Sequence, residues 1–542
     1  MARTSLRSIA AVATAAAILA YVGCSRPAAE RPGDPTSSAS DADVTTTTTP
    51  ASDGGEAKAG GPAAAKGFPP WKDTKAVLVV SGEMDGYLEP CGCAEGQMGG
   101  LIRRYTFVER MKEKGIPHAL IDLGGLMKDP ASARGGFEQA KLKFGIALKA
   151  LGAFPYDAVA LSADDLKVGV GEAFAQFLNA PEGSLKLVAA NVVPGAGFET
   201  VIVPHVVAEA GPVKLGVTAV VDPAAFEKLN DPDKDALLPE VKKPDEVLGA
   251  ILGELEGRSD YQVLMVQAPP AEARRLAAAF TGFDIVVATS EVPDPEQDPV
   301  MLNDGKTMLV NVGRRGKYVG AVGFFEGSAP KYHRQALTPS FDSADNAVKK
   351  IIEDEYRGLL KAVGTVENFP RHDYVGGTPG ATFVGAETCR QCHPNTYLKW
   401  ASTGHAKAFA SLEHDPKPDV IYDAECITCH TTGFEYNSGW KSAAATPNLK
   451  GNQCENCHGP ASKHVANPSD SAVRATLHVT AEQADRNRLC ARCHDEDNSP
   501  KFDFATFWPK VIHNGLDEYS DSKVRQGIDP SAPPAAAANE AE

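Results

Sequence analysis

Cys389-Arg390-Gln391-Cys392-His393 is matched in kind by Cys426-Ile427-Thr428-Cys429-His430, Cys454-Glu455-Asn456-Cys457-His458 and Cys490-Ala491-Arg492-Cys493-His494. These four C-x-x-C-H segments decide how the C-terminal part of the 542-residue chain is read. Two thiols one helical turn apart, with an imidazole directly after the second, form the attachment signature of c-type haem. The thiols bond the two vinyl groups of one porphyrin, and the histidine turns to the iron as its proximal ligand. Zinc knuckles, redox dithiols and structural disulfides use similar cysteine spacings. A zinc site, however, needs no histidine after every second cysteine, and a disulfide framework needs none at all. The pattern implies four covalently bound haem c groups, with His393, His430, His458 and His494 as the proximal ligands.

The distribution of soft and imidazole ligands agrees. Eight of the 11 cysteines and nine of the 13 histidines lie between residues 389 and 513. Five histidines remain after the proximal four: His405, His414, His464, His478 and His513. His405, His464, His478 and His513 are the candidate distal iron ligands; His414 stands beside Asp415-Pro416. Apolar residues at helical spacing over 395–412 predict a helix that projects His405 toward a neighbouring haem. His464 follows Gly459-Pro460, where a turn can aim it at a different haem from that of His458. Iron with two histidines has no open position and suits electron transfer, whereas iron lacking a distal ligand can bind a small molecule.

Phe383-Val384-Gly385-Ala386-Glu387-Thr388-Cys389, followed by Trp400-Ala401-Ser402-Thr403-Gly404-His405-Ala406, resembles the opening of the tetrahaem cytochrome c family that accepts electrons from hydroxylamine oxidoreductase. Cys429-His430-Thr431-Thr432-Gly433, Cys454 to Pro460 and Ser462-Lys463-His464 continue the resemblance, which covers about residues 381–515. It implies closely packed haems, mostly bis-histidine with room for one open iron, in a mainly helical, loop-rich wrapper. It does not imply the same redox partner. Aliphatic residues are sparse for a segment of this size, so the macrocycles are expected to serve as its core, and the segment to be unstable without them.

The rest of the chain sets the context. With 54 Lys+Arg against 70 Asp+Glu the net charge is −16, which argues against a nucleic-acid partner. Hydrophobic residues make up 43% and charged residues 23%, as in ordinary globular chains of two or three domains. Residues 1–23 read as an export signal, with Arg3 and Arg7 before an apolar stretch. Tyr21-Val22-Gly23-Cys24 resembles a bacterial lipoprotein signal, with Tyr21 where an aliphatic residue is usual; an ordinary signal with an incidental cysteine is the alternative. Lipidated Cys24 would anchor the chain to a membrane without a spanning helix. Residues 24–70, rich in Ala, Thr, Pro, Ser and Gly, are expected to be a tether, and residues 516–542 a loose tail. The exported protein is placed in the periplasm or at the outer membrane, with redox proteins as partners.

Between them, residues 71–370 alternate short apolar runs with helical patterns, the signature of an α/β layered domain; residues 371–380 connect it to the haem segment. Strands are expected near 76–80, 119–123, 187–193, 214–221, 262–266, 284–288 and 308–312, and helices over 137–151, 271–280 and 342–363. Gly99-Gly100-Leu101-Ile102-Arg103-Arg104, Tyr156 to Leu161 and Val312 to Gly320 resemble segments of the metallophosphoesterase domain of the 5′-nucleotidase family. The family's metal motifs are altered: Glu83-Met84-Asp85-Gly86, Gly124-Gly125, Ser162-Ala163-Asp164-Asp165, Gln267 and Ala288-Thr289-Ser290-Glu291 stand at those positions. A two-metal hydrolase needs several imidazole and carboxylate ligands, so phosphoesterase activity is not expected. Glu83, Asp85, Asp164 and Glu291 are either an all-oxygen site for a hard cation or ordinary loop carboxylates. Cys91-Gly92-Cys93 is either a redox pair or soft-metal clip, or a pair of cysteines fixing a loop. The whole reads as an electron-carrying tetrahaem cytochrome with a non-catalytic α/β docking domain; the alternative is a multihaem oxidoreductase with one open iron, acting on a small nitrogen or sulfur compound.

Overall fold

The computed structural model describes residues 68, 70–90, 97–179, 185–195, 199, 201–229, 239–486 and 489–517. The expectations for residues 1–67, for Cys24, for Cys91 and Cys93, and for the tail beyond 517 lie outside them. No helix among the described residues is long and apolar enough to cross a membrane.

The N-terminal part is built on two mixed sheets. Among the described residues, the first has the spatial order Lys331–Ala336, Tyr318–Phe324, Ala76–Ser81, His118–Asp122, Ala158–Ala160, Leu187–Val188 and Ile202–Val203. Its strands from Ala76–Ser81 onward run parallel, with Val77 opposite His118, while Tyr318–Phe324 is antiparallel, with Phe324 opposite Ala76. The second sheet orders Val300–Leu302, Thr307–Val310, Ile285–Ala288, Tyr261–Gln267, Val213–Val221 and His205–Ala210, antiparallel only at its two edges.

Alternation of side chains along each strand explains the layering. Leu78 and Val80 of one sheet meet Leu215, Val217, Val263 and Met265 of the other in a core between the sheets. Val77 and Val79 point the opposite way, onto Phe107, Phe144, Leu148 and Phe174 of helices Leu101–Glu113, Gly136–Leu151 and Val170–Asn179. Leu264 and Val266 likewise face Leu248 and Leu276 of helices Pro244–Glu256 and Pro270–Ala279. The result is a helix–sheet–sheet–helix sandwich, an α/β layered fold.

The helix expected over 342–363 starts after Asn346, whose side chain accepts the Lys349 N–H at 2.9 Å, and ends at Gly364 in the left-handed region (φ 66°). A π-helical stretch, Ile351–Tyr356, interrupts it. The chain then runs without a break in packing into the haem-binding part: Val366 and Phe369 join Phe383, Phe409, Ile427, Phe434 and Trp440 in one cluster.

The C-terminal part is helical and loop-rich. Helices Pro394–Ala401, Ser462–Ala466, Ser471–Leu477 and Phe504–Val511 contain no fully buried residue. They border a cavity that lies beside the cluster of Phe383, Phe409, Phe434 and Trp440. The expected helix over 395–412 is two helices, Pro394–Ala401 and Ala408–Glu413. Ser402 and Thr403 turn their hydroxyls back onto the carbonyls of Lys399 and Trp400 (2.7 Å each), which competes with continuation of the helix and leaves His405 on the turn between the two.

Candidate haem centre

The four motifs sit on or beside short helices: Ala386–Arg390 and the turn after it, Ala424–His430, Cys454–His458 and the 3-10 turn Cys490–Arg492. Local polar contacts fix these pieces. Asp423 caps the second motif helix by accepting the Glu425 N–H at 2.9 Å. Glu455, inside the third motif, is buried and accepts the N–H groups of Val384, Gly385 and Ala461, tying the chain before the first motif to the third. Cys389 lies close to Cys454, and Cys429 to Cys493, so motif one lies beside motif three and motif two beside motif four.

A cavity of about 1240 Å³ opens among the motifs. It exceeds the ~300–1,000 Å³ of ordinary small-molecule pockets. The first, third and fourth motifs reach it with His393, Cys454, Cys457, His458, Cys490, Cys493 and His494, and the second motif with Thr428. His405, His464, His478 and His513 line it too. Three imidazole pairs face each other: His393 and His464 with ring centroids 6.3 Å apart, His494 and His405 at 6.0 Å, and His458 and His513 at 5.7 Å. A transition metal lies about 2 Å from each ligating imidazole nitrogen, so two rings on opposite sides of one metal have centroids roughly 6 Å apart. The donor set and its spacing fit haem iron.

The electrostatics fit as well. Burial pushes His393, His405, His430, His458, His464 and His494 below the usual imidazole range, which keeps each ring neutral and able to ligate. The Nδ1 atoms of His458 and His513 are engaged by the carbonyls of Leu477 (2.6 Å) and Val511 (2.9 Å), and that of His494 by the Ser499 hydroxyl (3.0 Å). His430 Nδ1 is held by the Ala408 carbonyl. Such contacts orient a ring and leave Nε2 for a metal. His478 lies close to His458, but the ring opposed to His458 is that of His513. His414 is bonded through Nδ1 to the Ala410 carbonyl at 2.7 Å on an exposed turn.

The N-terminal carboxylates are arranged differently. Glu83 accepts the Ser290 N–H at 2.6 Å, and Asp85 is paired with Arg314 at 2.9 Å. Asp164 is exposed and paired with Lys167 at 2.8 Å, while Glu291 is exposed. Asp165, which the sequence reading did not single out, is the fully buried acid here; it accepts the N–H groups of Gly125, Leu126 and Met127 at 2.7–3.1 Å. Among the described residues, no group of three or more His, Cys, Asp or Glu side chains is placed to hold a metal.

The sequence reading also missed how the two parts meet. Gln139 donates to Asp423 at 2.7 Å, and Lys143 pairs with Glu425, both across the junction. Asp495 pairs with Arg134, and Asp497 is held by Tyr87 and Arg315. Tyr87, Arg134 and Arg315 stand on loops that follow the carboxyl ends of parallel strands.

The family model for cytochrome c554 and c-prime matches residues 388–459, and that for the doubled CXXCH motif matches residues 446–499. Cytochrome c-554 of Nitrosomonas europaea is 36% identical over 92 residues, 15% of this chain and 39% of that protein, so the chain spans well under half the length of this relative. Among solved structures, the chain is similar to a 5′-nucleotidase precursor of Thermus thermophilus, with 18% identity and a TM-score of 0.43 over 61% of this chain and 68% of that one. Sulfate thiohydrolase SoxB of the same organism gives 13% identity and a TM-score of 0.43 over 53% and 61%. The calcineurin-like phosphoesterase YfkN of Bacillus subtilis gives 16% and 0.41 over 54% and 99%. Residues 388–499, which contain all four attachment motifs, are a cytochrome c554-like multihaem c-type module.

Proposed function

We propose that the chain is an exported tetrahaem c-type cytochrome that carries electrons between respiratory redox proteins, with the α/β part as a non-catalytic docking domain. The observation that carries this reading is the set of three opposed imidazole pairs around one cavity. His393 with His464, His494 with His405 and His458 with His513 would each close an iron on both faces, and iron so closed passes electrons without binding a substrate. Haem supplies the one-electron chemistry. The chain's own residues hold the rings in place, keep them neutral and bring the motifs together in pairs, which favours transfer between neighbouring groups. Residues 1–23 direct export, Cys24 carries a lipid anchor, and residues 24–70 space the folded part from the membrane. A net charge of −16 steers basic redox partners at low salt, an effect that ionic strength weakens.

The test is the optical and electron paramagnetic resonance spectrum of the purified protein, with haem counted per chain. Four haems, with at least those on His393, His458 and His494 low-spin, are the expected result. A high-spin haem that binds nitric oxide or cyanide would move the reading to a redox enzyme for a small nitrogen or sulfur compound. A count below four would refute the attachment assignments.

A further inference from the structure

Among the described residues that line the haem cavity, Arg134 alone comes from the α/β part; the others lie at or beyond Tyr374. Arg134 stands just ahead of helix Gly136–Leu151 and pairs with Asp495, the residue after His494. Its charge reaches the Cys429 and Cys493 thiols, one from the second motif and one from the fourth.

The two partners differ in their relation to the cavity. Arg134 lines the cavity, whereas Asp495 is not among its lining residues and is held from behind by the N–H groups of Asp497 and Asn498 and by the Asn498 amide. Arg134 thus borders the haem space directly, and Asp495 does not. Arg492 makes the contrast: it lines the same cavity from within the module, but its partner Glu435, at 2.7 Å, lines the cavity as well and neutralises it in place. Reduction removes one positive charge from a haem iron, so a fixed cation nearby favours the reduced state.

We infer that the α/β part tunes redox potential: through Arg134 it raises the midpoints of the haems on the second and fourth motifs above those the C-terminal module would have alone. The inference rests on the tetrahaem reading, which the haem count of the unsubstituted full-length protein tests separately. With four haems in place, spectroelectrochemical titration of Arg134→Gln is expected to lower two midpoints and leave two unmoved. Each shift should be about tenfold in the oxidised-to-reduced equilibrium, about 59 mV for a one-electron couple. Arg134→Lys, which keeps the charge, should stay near the parent. Four unmoved midpoints, or one common displacement of all four, would overturn the inference. If Arg134→Gln does not accumulate with four haems, Asp495→Asn carries the test: freeing the guanidinium from its counter-charge should raise the same two midpoints, and a fall or no change would overturn it.

Discussion

Glu83, just beyond strand Ala76–Ser81, should make the protein less stable as pH rises. Its carboxyl is pushed up from 4.5 to about 8, chiefly by burial and further by the charges of Asp85 and Asp164, against the Ser290 N–H and the Arg314 guanidinium. Between those two pH values the folded chain holds a proton that the unfolded chain has released. Stability from this group is therefore complete below about pH 4.5 and is lost as pH climbs through about 8. At about 1.36 kcal/mol per pH unit, the rise sets a ceiling of about 5 kcal/mol on the effect. Asp165, raised to about 7 chiefly by its burial, adds a slope of the same sign in parent and variant alike. Glu83→Gln keeps an acceptor for Ser290 and cannot ionise. Calorimetry of the full-length holoprotein should find parent and variant alike at pH 5, with the variant increasingly the more stable by pH 9. Since 1 kcal/mol moves the midpoint of a large domain by about 2–4 °C, half the ceiling would be visible as several degrees. A difference that stays constant from pH 5 to 9, or a variant less stable than the parent at pH 9, would refute the reasoning.

Other outcomes follow from the site and the junction. Replacing His464, His405 or His513 singly with Ala should turn one low-spin haem high-spin and leave the rest of the spectrum intact, as read by electron paramagnetic resonance; a variant with no new high-spin signal would remove that histidine from the ligand set. Lys143→Met leaves the Glu425 carboxylate in a site where burial opposes its charge, and its pKa is held below the usual range by Lys143, Lys128 and Arg134. Breaking a buried pair from one side costs about 3–5 kcal/mol, and the two remaining cations put the expected loss near the lower end. Urea unfolding should show that loss, and much of it should return in the Lys143→Met, Glu425→Leu double variant.

The parts of this architecture that were readable in the sequence are those encoded locally. Each attachment motif is five residues long and carries its own chemistry, and the buried strands announce themselves as apolar runs such as Val213–Val221 and Tyr261–Gln267. Strands with an exposed face were harder: His205–Ala210 and Lys331–Ala336 lie at sheet edges, carry polar residues and were not predicted. The opposed histidines illustrate the limit. His464 meets His393, His405 meets His494 and His513 meets His458, each across many intervening residues, and no local pattern says which ring faces which. Nor did the helical pattern around His405 reveal that Ser402 and Thr403 would end the helix before it.

The junction shows how the altered strand-end positions can be put to other use. In open α/β sheets the carboxyl ends of parallel strands are where loops converge on ligands. Here the loop after Thr307–Val310 carries two arginines with separate partners: Arg314 pairs with Asp85, and Arg315 with Asp497, three residues past His494. The loop after Ala76–Ser81 sends Tyr87 to the same Asp497, and the one after His118–Asp122 sends Arg134 to Asp495. Arg134 and Arg315 together form a positively charged surface that matches the acidic loop following the fourth motif. This edge of the sandwich thus packs against the loop that follows the fourth motif, and a change at Arg134 or Arg315 is expected to be felt in the spectrum or potential of the haem held there.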